Sequence, residues 1–170
     1  MRSVKAYGLI SALALAAIGA TATSASAREF VAVDPAWSAG TIVVKTGERR
    51  LYYVLGSGQA IRYTVAVGRP GKEWAGQTVI ARKEVNPVWG PPAEVRRDKP
   101  GLPDLVPPGP HNPLGPRAML LSGTEYAIHG TNKRESIGTR ASYGCIRMYN
   151  EDVVELFDKV SIGTPVVVQR

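Results

Sequence analysis

The pattern of apolar side chains between residues 41 and 68 constrains the fold of this chain more than any other feature. Large apolar residues occupy every second position of one segment, namely Ile61, Tyr63, Val65 and Val67. A period of two is the pattern of a β-strand with one buried face. Two shorter apolar runs, IVVK at 42–45 and LYYVL at 51–55, each precede a turn that contains glycine. The sequence therefore predicts a β-meander at the start of the fold.

The middle of the chain has an unusual proline content. Ten of the thirteen prolines fall between Asn86 and Pro116. Proline lacks an N–H group and fixes φ, so this segment is unlikely to form a helix or an interior strand. Long loops in compact domains are often lids or binding loops, and the alternative is a passive linker. Because the segment joins two parts of one predicted sheet, we expect an ordered, lid-like loop.

The last third of the chain is predicted to return to the core and to end in a helix and a strand. Residues 119–121 and 126–129 are typical of short strands. Asn150 is a candidate helix N-cap, and apolar residues follow it at helical spacing: Val153, Leu156, Phe157 and Val160. Gly163 ends this helix, and residues 164–168 form a final buried strand. We therefore predict a mainly β fold with one short helix.

The N-terminus has the three parts of a cleaved secretory signal in residues 1–27. Arg2 and Lys5 precede an apolar run at residues 9–20, and Ala25-Ser26-Ala27 is a small-residue cleavage site. The alternative is a membrane anchor, but about 20 apolar residues are needed to span a bilayer and this run is shorter. We expect an exported protein with no membrane span in its mature chain.

Cleavage after residue 27 would leave 143 residues, enough for one compact domain. We divide this part into a short N-terminal segment, residues 28–40, and a single domain, residues 41–170. The formal charge of +7 becomes +5 without the two basic residues of the signal. A small positive excess suits an anionic partner, although solubility alone explains it. No phosphate loop, coiled coil, internal repeat or nucleic-acid motif is visible.

Cys145 is the single cysteine of the chain, so it cannot form an internal disulfide. A lone cysteine is often a small buried core residue. Here it follows Gly144 and lies sixteen residues after His129. An unperturbed thiol titrates at about 8.5, and an imidazole is its usual base. We therefore predict a nucleophile and base pair of Cys145 and His129.

The residues around Cys145 are candidates for the rest of a site for acyl transfer. The backbone N–H groups of Tyr143, Gly144 and Cys145 can form an oxyanion hole, because glycine allows a sharp turn and a close approach of the substrate. Ser142 either hydrogen-bonds within the loop or touches substrate. Arg147 either holds a substrate carboxylate or forms a salt bridge that fixes the loop.

No metal and no organic cofactor are predicted. His111, the other histidine, lies in the proline-rich segment, where an exposed loop position is its default. A zinc site made of His111, His129 and Cys145 is disfavoured, because the three residues are scattered and lack metal-ligand spacing.

The motif HGT at 129–131, followed by S-x-G-C-I-R-M at 142–148, resembles the signature of the YkuD-type L,D-transpeptidases, cysteine enzymes of bacterial cell walls. The resemblance covers most of the chain, including PVWGPP at 87–92, PPGPHNPLG at 107–115 and the segment 150–168. Tyr143 departs from the family, since many members carry histidine or arginine there. This departure removes support for proton handling at residue 143, but not for the nucleophile.

The resemblance implies a mainly β, sandwich-like catalytic domain in which the backbone carbonyl of Gly130 orients the imidazole. It implies that Cys145 forms a thioester with a tetrapeptide stem of peptidoglycan, releases D-alanine and forms a 3-3 cross-link. The periplasm is then the expected location, and a carbapenem is expected to acylate Cys145.

Three other functions stay open at this point. The same site can act as an L,D-carboxypeptidase or endopeptidase if water takes the thioester. The acceptor can also be an amine of an outer-membrane protein. A wall-binding module without enzymatic activity is a different class of function, and it is disfavoured because it needs no thiol.

Overall fold

The computed structural model describes residues 28–170. The predicted signal peptide, residues 1–27, lies outside the described residues. Between residues 28 and 170 no helix is long and apolar enough to cross a membrane.

The described chain contains ten strands and two α-helices. The strands are β1 Arg28–Ala32, β2 Ile42–Lys45, β3 Arg50–Gly56, β4 Gln59–Gly68, β5 Gly76–Val85, β6 Arg117–Leu121, β7 Ala127–His129, β8 Arg140–Ser142, β9 Ile146–Met148 and β10 Pro165–Gln169. The helices are α1 Ala93–Asp98 and α2 Asn150–Lys159, with one 3-10 turn at Arg134–Ser136. The predicted mainly β fold with a short helix after Cys145 is confirmed.

The strands close into a barrel. The hydrogen-bonded order is β4-β3-β2-β10-β5-β6-β7-β9, and β9 pairs again with β4. Strands β1 and β8 pair with β4 outside this ring. Most neighbours are antiparallel, but β10 runs parallel to β2, and β7 runs parallel to β9. Closure satisfies the backbone of each strand in the ring on both sides.

The predicted period of two separates an inner from an outer face of the barrel. The inner face contributes to one large apolar cluster, and its residues from the meander are Ile42, Val44, Leu51, Ile61, Tyr63, Val65 and Val67. The four residues predicted at helical spacing belong to the same cluster, namely Val153, Leu156, Phe157 and Val160. The outer face of the meander buries Val43, Tyr52 and Val54 under the N-terminal segment. Strand β1 lies in that segment and adds to the edge of β4.

The proline-rich segment connects β5 and β6, which are neighbouring antiparallel strands. The buried amide of Asn112 organises it. The Asn112 Nδ2 lies 2.8 Å from the Pro87 carbonyl oxygen and 3.1 Å from those of Val106 and Pro107. The Leu114 N–H donates to the Asn112 Oδ1 at 2.8 Å. Segment 86–116 is therefore folded around one polar side chain.

Two local predictions are wrong. The proline-rich segment contains the helix α1, although we expected no helix there. Residues 93–98 are free of proline, and Pro92 is the N-cap, where the missing N–H costs no intrahelical hydrogen bond. Asn150 is not the N-cap of α2, since Tyr149 holds that position. The Asn150 Oδ1 instead accepts a hydrogen bond of 2.8 Å from the Thr131 N–H.

We expect Asn112→Ala to lower the free energy of unfolding by about 1–3 kcal/mol, because it leaves the buried Pro87 carbonyl oxygen without its donor. Segment 86–116 should also become more sensitive to protease. Urea denaturation and limited proteolysis measure both effects. The matched control is Asn132→Ala, whose exposed amide donates only to the His111 carbonyl oxygen, and its cost should stay within about 0.5 kcal/mol. Equal losses in the two variants would contradict the organising role of Asn112.

Candidate active site

The structure brings Cys145 and His129 to neighbouring strands. In the parallel pair of β7 and β9, Ile128 lies opposite Ile146 and His129 lies opposite Arg147. Cys145 directly precedes β9, so it lies two register positions upstream of Arg147, the residue opposite the histidine. His129 is buried, with 3% of its surface exposed, and Cys145 is partly buried. Two residues that are sixteen positions apart in sequence thus lie at one place on the barrel.

The imidazole of His129 is held by backbone carbonyl groups. Its Nδ1 lies 2.6 Å from the Gly130 carbonyl oxygen. In the tautomer with hydrogen on Nδ1, that nitrogen donates to Gly130 and leaves Nε2 as an acceptor, as a general base requires. The Pro113 carbonyl also acts on the ring, since it opposes the lowering of the His129 pKa, so the proline-rich segment lies near the histidine.

Burial keeps the imidazole neutral. Desolvation, and next the positive charge of Arg147, lowers the pKa of His129 to about 4, against the opposing effect of the Gly130 and Pro113 carbonyl groups. The imidazole therefore carries no charge at neutral pH.

Burial also favours the neutral thiol. It raises the pKa of Cys145 above its ordinary value, although a backbone hydrogen bond from Ala127 and the charge of Arg147 act in the opposite direction. The resting pair is thus a thiol and a neutral imidazole, and not a thiolate and imidazolium ion pair.

Ser142 organises the loop before Cys145. Its hydroxyl donates to the Cys145 carbonyl oxygen at 2.6 Å and accepts the Gly144 N–H at 3.1 Å. Of its two predicted roles, the structure shows the one within the loop. The same contact engages the Gly144 N–H, one of the three predicted oxyanion donors, so a substrate oxygen would have to share that hydrogen with Ser142. The N–H groups of Tyr143 and Cys145 are the other two candidates.

Arg147 lies in β9, between the strands β7 and β4. It is partly buried, and burial lowers the pKa of its guanidinium. Among the residues that the structure describes, no carboxylate forms a salt bridge with Arg147. The predicted loop salt bridge is therefore not formed. The charge of the guanidinium acts instead on His129 and Cys145, whose pKa values it lowers.

Tyr143, in the loop before Cys145, forms a hydrogen bond with the proline-rich segment. The Tyr143 hydroxyl donates to the Asp98 Oδ2 at 2.8 Å, and the Arg69 Nη2 donates to the same oxygen at 2.7 Å. The Arg69 guanidinium also lies 4.1 Å from the centre of the Tyr143 ring. Asp98 is the last residue of α1, so the helix that the sequence failed to predict contacts the site.

Sequence reasoning missed Trp74 and Tyr126. The Trp74 Nε1–H donates to the Gly144 carbonyl oxygen at 2.9 Å. The indole stacks on Tyr126, with ring centres 5.4 Å apart and an angle of 22° between the planes. Trp74 lies seventy residues before Gly144, and no motif or spacing in the sequence links the two.

His111 is exposed in the proline-rich segment, as expected, and its carbonyl accepts from Asn132. Within residues 28–170, no three His, Cys, Asp or Glu side chains are arranged to hold a metal ion.

Comparison with known protein families gives a match over most of the described chain. The family model of the YkuD L,D-transpeptidase catalytic domain matches residues 39–168. This chain belongs to the L,D-transpeptidase family. The match includes both catalytic candidates, His129 and Cys145, and the resemblance of the motif is confirmed at the level of the family.

Two curated relatives of this chain are longer proteins. The probable L,D-transpeptidase ErfK/SrfK of Salmonella typhimurium is 45% identical over 134 residues, which cover 74% of this chain and 42% of the relative. The probable L,D-transpeptidase YbiS of Escherichia coli is 42% identical over 134 residues, which cover 74% of this chain and 43% of the relative. The chain thus spans less than half the length of these curated relatives.

A solved structure agrees in fold. The catalytic domain of the E. faecium L,D-transpeptidase acylated by ertapenem matches with a TM-score of 0.57 and 23% identity. The match covers 75% of this chain and 95% of that domain. At this identity the likeness concerns the fold alone.

The neutral His129 makes stability depend on pH. The unfolded chain binds a proton at this residue below about pH 6.5, whereas the folded chain does so only near pH 4. Stability from this residue is therefore complete above pH 6.5 and is lost as the pH falls towards 4. Between pH 7 and pH 5, the free energy of unfolding should fall by about 2 kcal/mol more in the wild type than in His129→Gln.

Chemical denaturation of both proteins at a series of pH values tests this expectation. Asp152 changes stability with pH in the opposite direction, because burial and the charge of Glu151 raise its pKa to about 6. Its contribution is present in both proteins and cancels in the comparison. Parallel pH profiles for the two proteins would contradict a buried, neutral His129.

Proposed function

We propose that the chain is an exported L,D-transpeptidase that acts on the peptide stems of peptidoglycan through a thioester on Cys145. Membership of the family supports this proposal. The observation that carries it is the pairing of β7 with β9, which brings the thiol next to an imidazole held by the Gly130 carbonyl. The predicted signal peptide supports export, with the periplasm as the proposed location.

In the first half-reaction, the Cys145 Sγ attacks the carbonyl carbon of the bond between the third stem residue, a diamino acid such as meso-diaminopimelate, and the terminal D-alanine. The thiol proton passes to the His129 Nε2 as the carbon–sulfur bond forms. When the tetrahedral intermediate collapses, the carbon–nitrogen bond breaks and the leaving amine takes the proton from His129. D-alanine is released, and a thioester remains.

In the second half-reaction, an amine of a neighbouring stem attacks the thioester carbonyl. His129 accepts a proton from this amine, the carbon–sulfur bond breaks, and the proton returns to Cys145. The product is a 3-3 cross-link, and the site is regenerated. Water in place of the amine would give a carboxypeptidase or an endopeptidase, and an amine of an outer-membrane protein would give an anchoring reaction.

Arg147 is the proposed binding group for a carboxylate of the stem. Its guanidinium is partly desolvated and lacks a salt bridge among the described residues, and an unpaired buried charge is costly. A stem carboxylate would offset this cost by a charge-assisted contact that guanidinium geometry favours. The same charge helps to keep His129 neutral and therefore able to accept a proton.

The proline-rich segment is the proposed lid. Its helix α1 contacts the loop of Cys145 through Asp98, and Lys72 forms a second ion pair with Glu94 of the same helix. Exposed ion pairs contribute about 0–1 kcal/mol each. Breaking these ion pairs therefore costs little, and the main cost of separating helix α1 from the loop is any exposure of its buried Val95.

We expect Cys145→Ala to abolish product formation from purified disaccharide-tetrapeptide. Mass spectrometry of the wild-type products should show a dimer that lacks one D-alanine. His129→Gln should reduce the rate by roughly 10²- to 10⁴-fold, because the thiol loses its base. His111→Gln, in the exposed loop, is the matched control and should leave the rate unchanged.

The products also distinguish the acceptors. Tripeptide monomer alone would identify water as the acceptor and replace the transpeptidase with a carboxypeptidase. Activity that survives in Cys145→Ala would contradict the thioester mechanism in every form.

A further inference from the structure

Trp74 makes one polar contact with the loop that carries the nucleophile. The indole N–H donates to the Gly144 carbonyl oxygen at 2.9 Å, and the side chain is partly buried. This carbonyl belongs to the peptide unit that links Gly144 with Cys145. Trp74 lies between β4 and β5, outside the motif that contains His129 and Cys145.

The peptide unit transmits this contact to the nucleophile. A peptide bond is planar and trans, so its C=O and N–H groups point in opposite directions. When Trp74 holds the Gly144 carbonyl on one side, the Cys145 N–H must point to the other side. The Gly144 N–H is already engaged by Ser142, so the direction of the Cys145 N–H decides whether this group can serve as an oxyanion donor.

The aromatic stack keeps this peptide unit from turning. Tyr126 stacks on Trp74, and a Cβ added at Gly144 would collide with the Tyr126 ring. Gly144 has a φ of 124°, a conformation that other residues rarely adopt. Glycine lets the loop approach the Tyr126 ring closely, while the indole N–H reaches the Gly144 carbonyl.

We propose that Trp74 is a positioning residue that directs the Cys145 N–H at the oxyanion of each tetrahedral intermediate. The inference rests on the proposed function, because it assigns a donor to the oxyanion of that reaction. Trp74 does not touch the reacting atoms. It acts through the peptide unit of Gly144 and Cys145, and it fixes the donor before substrate binds, which is what makes such donors effective.

Two reactions of the Cys145 thiol distinguish the positioning role of Trp74 from a general packing role. Acylation by ertapenem passes through a tetrahedral intermediate and needs an oxyanion donor. Alkylation by iodoacetamide is a direct displacement at carbon and needs only the thiol and its base. Intact-protein mass spectrometry follows both rates on the full chain.

The test variant is Trp74→Phe, which keeps an aromatic ring on Tyr126 and removes the N–H donor. The control is Trp37→Phe, on the outer face of the barrel, where Trp37 packs against Tyr52. We expect Trp74→Phe to slow acylation by roughly tenfold to a hundredfold, with alkylation unchanged at every pH. Trp37→Phe should leave both rates unchanged.

If Trp74→Phe fails to fold, β-(3-benzothienyl)alanine at position 74 keeps the shape of the indole and lacks only the N–H. Equal acylation in wild type and variant would overturn the inference and leave the proposed function intact. A parallel loss of acylation and alkylation would also overturn it, because that result shows a general packing role. A wild-type chain that is alkylated but never acylated would overturn the proposed function, and this inference with it.

Discussion

The pairing of β9 on both of its sides is the constraint on which the site depends. Strand β9 is three residues long, yet it pairs with β7 on one side and with β4 on the other. These pairings close the barrel and fix the chain directly after Cys145. Because β7 ends at His129, the same hydrogen bonds that complete the fold bring the thiol and the imidazole together. The site is therefore a product of barrel closure.

The closed barrel also sets the electrostatics of the site. It buries His129 and partly buries Cys145, which favours the neutral form of each group. A neutral thiol is less easily oxidised than a thiolate. Arg147 is the one charge among the three groups, and no carboxylate of the described residues pairs with its guanidinium. In the proposed reaction, chemistry begins with substrate, when a proton moves from sulfur to nitrogen.

The repeating parts of the fold were predictable from sequence. The period of two located the meander, and helical spacing located α2, because burial of one face imposes both patterns. The motif located His129 and Cys145. Helix α1 was not predictable from composition, since the seven residues between Pro92 and Pro100 are enough for one short helix.

The contacts that organise the site were not predictable either. Trp74 and Asp98 reach the loop of Cys145 only after the strands have paired, from positions that no spacing in the sequence connects with it. The role of Ser142 could not be predicted either, although it lies only three residues before Cys145. Its hydroxyl was expected either within the loop or on substrate, and only its distances to Gly144 and Cys145 decide between the two.

A crystal structure of the wild-type chain acylated by ertapenem tests the account most directly. The account predicts a thioester on Cys145 whose carbonyl oxygen lies within about 2.7–3.1 Å of the Cys145 N–H. The Trp74 indole should still donate to the Gly144 carbonyl oxygen. A thioester oxygen directed away from that N–H, with the peptide unit between Gly144 and Cys145 turned over, would contradict it.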